Sequence, residues 1–353
     1  MTSSIANTNL FNNLVNQIQQ DSNDKELHWL VSSIIIPEFQ QIIETLKVVS
    51  NLILYNSPQH PNVEMGIERG PSIKLPLTST TSNSNLNGII IRDGLYILKF
   101  NAVIKDHYLN KYFNKLNLKK PILLNQLVNC KNSIDDSIEL LNQLRTLNDT
   151  LNKEKHLSSE NHKSYHKQLI ISFENLLNKI QLAKTNLQLP IDPSIIFPQN
   201  IIDPTAFEPI LPKLISIDFY INQAEICIDL KNLNQITEKP WSEIHNGKSY
   251  VDLMRDEIKN NNNSQSNDSG NSTPSTTESN HESKRFFNLF KSNKQFDKND
   301  YITRCITYNN MVVMINSKIE VSSEDPILVS CFTKLDSIEY LINNFLYSLN
   351  NLI

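Results

Sequence analysis

Leu187-Gln188-Leu189-Pro190 opens the stretch that decides the fold. Six of the chain's fifteen prolines fall between Pro190 and Pro212, and Lys213-Leu-Ile-Ser-Ile-Asp-Phe-Tyr-Ile-Asn-Gln-Ala-Glu-Ile-Cys-Ile-Asp-Leu230 follows. Ile215, Ile217, Phe219 and Ile221 alternate with other residues, and Ile226, Ile228 and Leu230 do the same after Asn222-Gln223-Ala224-Glu225. Alternation around a short polar break predicts a hairpin. As strands, these residues send Asp218 and Asp229 to the solvent face; a helix would set both among apolar neighbours. Before this stretch the apolar period is mostly helical, and after it the pattern alternates until one last helix. The stretch therefore reads as a junction between two folding units.

Upstream of the junction, Leu169, Phe173, Leu176, Ile180, Ala183 and Leu187 repeat at helical spacing, as do Leu127, Cys130, Ile134, Ile138, Leu141 and Leu144 within 121–151. Two such helices with a short polar link predict an antiparallel pair. Earlier still, Ile35, Phe39, Ile42, Leu46, Val49 and Ile53 form one stripe over 25–54, with a kink or two abutting helices expected at Pro37. A short helix over 9–19 carries Leu10, Leu14 and Ile18. Between the helices, 89–100 reads as two strands around Asp93-Gly94, because both turn residues tolerate positive φ. Ser72 to Leu77 is a third strand, and 78–87 a polar loop.

Downstream, 260–283 is almost wholly Asn, Ser, Thr, Asp and Glu, a composition that cannot offset its ordering entropy by burial and predicts disorder. A third hairpin is expected at Asn309-Asn310, between 304–308 and 311–315. Asp325 and Pro326 then open a final helix with Leu328, Cys331, Leu335, Ile338, Ile342, Phe345, Leu349 and Leu352 in an unbroken heptad stripe.

These elements predict an α+β chain: a helical bundle from both termini (1–57 and 324–353) and the central pair (118–188), beside one antiparallel sheet unit built from 58–117 and 189–323. The terminal stripes are expected to pack on each other. The alternative use of the same stripes is an intermolecular coiled coil.

Composition narrows the function. Lys and Arg number 33 against 37 acidic residues, a net charge of -4, so no global basic field favours nucleic acid or anionic lipid. No apolar run approaches the roughly 18 residues of a membrane span. The N-terminus lacks the basic and apolar regions of a signal peptide. Four cysteines far apart, Cys130, Cys227, Cys305 and Cys331, suit a reduced cytosolic chain with buried thiols.

Motif chemistry is sparse. The six glycines nowhere take the spacing of a phosphate loop, so nucleotide binding through backbone amides is not expected, nor is any cofactor. His162 and His166 stand four apart and could share a helix face with a metal. Lys153, Lys155, Lys163 and Lys167 surround them, so a solvated face is the expectation. Asp135-Asp136 reads as helix surface. No nucleophile elbow occurs. Lys284-Arg285-Phe286-Phe287-Asn288-Leu289-Phe290-Lys291 interleaves bases with aromatics. Lys284, Arg285, Phe286, Phe287 and Phe290 are a candidate docking motif for a partner, and an edge strand is the other reading. Ser272-Thr273-Pro274 is a candidate phosphorylation site.

Several short motifs in order carry a resemblance. Glu26-Leu27-His28-Trp29-Leu30, Leu187-Gln188-Leu189-Pro190, Phe207-Glu208-Pro209-Ile210-Leu211-Pro212, and Tyr220-Ile221-Asn222 leading into Ile226-Cys227-Ile228-Asp229-Leu230 resemble the Rogdi family. The order of elements agrees along nearly the whole chain. The break at Pro37 and the tract over 260–283 depart from the family pattern. The resemblance implies a non-enzymatic second subunit of the RAVE complex, which regulates assembly of the vacuolar and endosomal proton-pumping ATPase. Implied partners are a large propeller-containing, rabconnectin-like subunit, a Skp-type adaptor, and the soluble V1 sector that must rejoin the membrane V0 sector. Such a protein would be cytoplasmic and reach vacuolar membranes through its partners. From spacing alone, a scaffold of another cytosolic complex would look the same.

Overall fold

The computed structural model describes residues 15, 18, 19, 22–78, 85–153, 159–264 and 297–352. Of the short helix expected over 9–19, only residues 15, 18 and 19 are described, and they are helical. The named helices are α1 (Ile36–Tyr55), α2 (Asn125–Lys153), α3 (Ser159–Gln188), α4 (Tyr250–Ser264), α5 (Lys298–Arg304) and α6 (Pro326–Leu352).

The heptad stripes are buried within this one chain. Ile35, Phe39, Ile42, Leu46, Val49 and Ile53 ahead of and along α1, and Leu328 to Leu349 along α6, all belong to one core. Phe173 of α3 sets its ring 5.8 Å from Phe39 and 6.0 Å from Phe345. Across α1 and α2, Arg145 donates to Gln40 while Ser50 donates to Asp135, which fixes these two helices antiparallel. Across α3 and α6, Lys184 reaches both Asp336 and Glu339.

At Pro37 two helical segments abut, one of the two outcomes expected there. Residues 22–29 are helical, Leu30–Ile35 widen into a π-helix in which the Ile36 N–H bonds the Val31 carbonyl, and α1 takes Pro37 into its first turn. A proline ring crowds the carbonyl four residues back and offers it no N–H, and the wider turn relieves both conflicts.

Strands β1 (Ile73–Thr78), β2 (Leu86–Asp93), β3 (Tyr96–Ile104), β4 (Lys115–Leu118), β5 (Ile122–Leu123) and β6 (Phe207–Glu208) form an antiparallel sheet ordered β1-β2-β3-β4-β6, with β5 also on β3. Strands β7 (Ile215–Asn222) and β8 (Glu225–Gln235) precede a small ribbon of β9 (Ile244–His245) and β10 (Lys248–Ser249). With β11 (Cys305–Tyr308) and β12 (Met311–Glu324), β7 and β8 make a second sheet ordered β11-β12-β8-β7. The expected single sheet unit is thus two sheets and a ribbon. The face of the second sheet that carries Ile217, Phe219 and Ile221 shares the main core with the apolar face of the first, without a shared ladder, while its other face carries a separate cluster of Phe197, Leu233, Tyr308 and Val313. Phe100 of β3 meets Phe219 of β7 edge-on at 5.4 Å.

Two hairpins turn where the sequence places them. Gln223 and Ala224 have φ of 50° and 60°, and Asn309 and Asn310 have 45° and 59°, as two-residue turns with right-handed strand twist require. The first hairpin is displaced by one residue. Asp93 pairs with Tyr96, so Gly94 and Leu95 form its turn, after a bulge between Ile91 and Arg92. Gly94 has φ 56°, and a Cβ there would stand 2.4 Å from the Leu54 carbonyl oxygen at the end of α1.

Three further expectations are corrected. β12 runs to Glu324 rather than stopping near 315, because Ile319 and Val321 keep alternating into the core. Residues 260–264 continue α4, since asparagine is a weak helix former and not a breaker. Residues 121–124 are extended before α2 begins. The main core runs without interruption through the long helices and both large sheets. A smaller one gathers Ile236, Val251, Tyr301, Cys305, Val312 and Met314, with Trp241 stacked on Tyr301 at 4.9 Å.

Candidate interaction site and its ionic anchors

Polar side chains inside this molecule serve its joints. α1 ends at Asn56, left-handed at φ 54°, whose side-chain oxygen accepts from Arg92 at 3.1 Å and from the Gly94 N–H at 3.2 Å. Arg92 is fully buried; its Nε donates to Asp325 at 2.5 Å and its Nη1 to the Gly94 carbonyl at 2.6 Å. Asp325 also caps α6, accepting from the Ile327 and Leu328 N–H groups. One guanidinium therefore ties the end of α1, the first hairpin and the start of α6.

A second joint overturns an expectation. Asp218 and Asp229 face each other across β7 and β8, yet both are buried and not solvent-facing. Lys231 explains how they survive there, with its ammonium 3.0 Å from Asp218 and 2.6 Å from Asp229. Residues 193–200 of the proline-rich segment lie over this pair. The Phe197 N–H donates to Asp218 at 3.0 Å, the Asn200 amide donates at 2.9 Å, and the Phe197 ring lies 5.0 Å from the Lys231 ammonium. Burial raises the Asp218 carboxyl above its ordinary value, with Lys231 opposing the shift. At the rim, Lys318 contacts Asp229 at 3.3 Å and Glu320 at 2.8 Å, and Tyr220 donates to Glu320.

Gln126 is a third joint. From the first turn of α2 it donates to the Asn186 and Ile221 carbonyls and accepts from the Ile221 N–H, joining α2, the end of α3 and β7. A polar residue just inside a helix start carried no signal of this.

Residues singled out in the sequence scatter. Asp135 and Asp136 lie on the surface of α2, paired with Lys131 and Lys179. His166 is buried, against the expected solvated face, because its turn of α3 also buries Tyr165 and Leu169. The four cysteines are free and buried. Burial pushes Cys227 and Cys331 up to about 12 and Cys305 to about 11, which leaves no ready thiolate. Among the described residues no group of three or more His, Cys, Asp or Glu could hold a metal, and no helix is long and apolar enough to cross a membrane. A shallow groove follows α2 from Asp135 to Thr150, with Ile138 and Leu147 between polar groups that do not converge. The docking motif Lys284, Arg285, Phe286, Phe287 and Phe290, Ser272-Thr273-Pro274, and the tract over 265–283 lie outside the described residues.

Among the described residues, buried ion pairs join the elements and burial keeps the thiols protonated. The chain belongs to the Rogdi leucine zipper containing protein family, whose model matches residues 26–350. It is similar to the "Regulator of V-ATPase in vacuolar membrane protein 2" of Saccharomyces cerevisiae, 24% identical over 336 residues that span 91% of this chain and 89% of that protein.

Proposed function

We propose that this chain is a non-catalytic regulatory subunit that promotes joining of the soluble V1 and membrane V0 sectors of a vacuolar proton-pumping ATPase. The observation that carries the reading is end-to-end similarity, over 91% of the chain, to a yeast protein whose name gives it a V-ATPase regulatory role. The chemistry agrees with it. The buried thiols are held protonated, and Asp218 and Asp229 are engaged by Lys231 and the segment over it.

In this reading the long helices act as a bundle that forms a stiff body, with the sheet unit of 58–117 and 189–323 carrying the contact surfaces. The partners are a large propeller-containing subunit of rabconnectin type, a Skp-type adaptor, and the V1 sector through them. The chain works in the cytoplasm and reaches vacuolar and endosomal membranes through these partners. The motif from Lys284 to Phe290 offers a second contact.

Mild affinity purification of the tagged chain, with co-purifying proteins identified by mass spectrometry, tests this. A giant propeller protein together with soluble-sector pump subunits is the expected result. The chain recovered alone, at monomer size and good yield, would overturn it.

A further inference from the structure

The outer face of the six-stranded sheet is open among the described residues, with Lys74, Ile89, Lys99, Val103 and Lys115 exposed. Register places Lys74, Ile91 and Lys99 in one row across β1, β2 and β3. The next row runs Pro76, Ile89, Asn101 and Asn117, and the one after it Asn87, Val103 and Lys115. The opposite face is core, with Leu75, Ile90, Phe100 and Leu116 at 2% exposure or less. Outward, Ile89 is 50% exposed and Val103 41%.

Charge gives this face its character. Lys74, Lys99 and Lys115 are exposed and have no ion pair among the described residues. The carboxylates at its margins are already matched, Asp93 to Arg69 at 2.6 Å and Glu208 to Lys119 at 3.4 Å. Lys74 and Lys99 stand two strands apart, roughly 10 Å, about one screening length at physiological salt, so their fields add over the apolar residue between them. A net charge of -4 makes this positive face local and distinctive. Pro76 removes a backbone donor from the edge strand β1, which disfavours strand addition there and leaves the face as the contact surface.

We propose that this face docks an acidic protein surface, with Ile89, Ile91 and Val103 as its apolar centre and Lys74, Lys99 and Lys115 as its basic rim. An apolar centre within a charged rim is the usual anatomy of a protein contact. Three lysines on one sheet face interleaved with Asn101 and Asn117 suit carboxylates and amides of a partner protein better than lipid headgroups, which call for a denser basic cluster. The identity of that partner as a component of the pump system rests on the proposed function; the face itself does not.

The test is carbodiimide cross-linking, which joins lysine to carboxylate directly, on the complex purified with the tagged full chain, followed by peptide mass spectrometry. Cross-links from Lys74, Lys99 or Lys115 to Asp or Glu of a co-purified protein are expected. Lys74→Glu/Lys99→Glu/Lys115→Glu should lower recovery of that protein roughly tenfold with an unchanged thermal midpoint. A control reversal at Lys25, Lys47 and Lys167 on the helices should leave recovery intact. Cross-links confined to other lysines would overturn the docking face while leaving the pump reading standing. Cross-links from this face to a protein unrelated to the pump would keep the face and remove that reading. Binding to phosphatidylserine vesicles that the triple variant loses, with no protein cross-link, would assign the face to membranes and overturn the proposal.

Discussion

Arg92 and Asp325, 233 residues apart in sequence, form a bidentate ion pair with both side chains fully buried. Because Asp325 also caps α6 and Arg92 also holds Asn56, the pair ties three elements that share no local sequence signal. Removing one member leaves the other charge buried and unpaired. Arg92→Met should cost about 3–5 kcal/mol of stability, read from urea unfolding, and Asp325→Asn somewhat less because the cap retains an acceptor. A loss under about 1 kcal/mol in Arg92→Met would show that the joint is not energetically coupled.

Asp218 makes stability depend on pH in a stated direction. Burial raises its folded carboxyl above the ordinary 3.8, so the folded chain binds a proton where the unfolded chain does not. Its contribution is therefore fully present below the ordinary value and is lost as pH rises through the folded one. The stability of the natural chain relative to Asp218→Asn, from urea midpoints measured in steps through that window, should fall with rising pH. In Asp218→Asn this component should be absent. Parallel profiles for the two proteins would contradict the assignment.

Gln126 meets backbone groups of two other elements. Gln126→Leu keeps most of the volume and orphans a buried N–H at Ile221, a loss of about 2–3 kcal/mol. Hydrogen exchange should quicken at β7 and at the end of α3 before elsewhere. Uniform acceleration throughout the chain would argue against a local joint.

The heptad residues of α1 and α6 are spent inside the chain. Sedimentation of the purified protein at micromolar concentration should give a monomer. Leu46→Ala, which hollows out a fully buried site, should unfold the chain at lower urea, by about 2–5 kcal/mol, with no change of oligomeric state. A dimer that this substitution dissociates would restore the intermolecular zipper.

Much of this fold was legible where one period dominates. The stripes of α3 and α6 are local patterns that burial follows; the alternation of β7 and β8 is local too, but both of its faces are buried, Ser216 and Asp218 as well as Ile217 and Phe219. Asp218 was misread because alternation says only that it lies opposite the apolar face; what covers that face comes from residues 193–200, through a contact local spacing does not encode. The joints at Arg92 and Gln126 were invisible for the same reason: their partners are far away in sequence. Short strands such as β5 and β6 carry too few residues for any period. The rows of the candidate docking face required register, because Lys74, Ile91 and Lys99 become neighbours only when three strands align.

The most direct test of the central claim is the fraction of soluble pump sector bound to vacuolar membranes in cells lacking this chain, measured by quantitative immunoblotting beside total subunit levels. A regulator of sector joining predicts normal subunit levels, a reduced membrane-bound fraction and a raised vacuolar pH, all restored by the intact gene. Normal sector association and normal vacuolar pH in those cells would contradict the account.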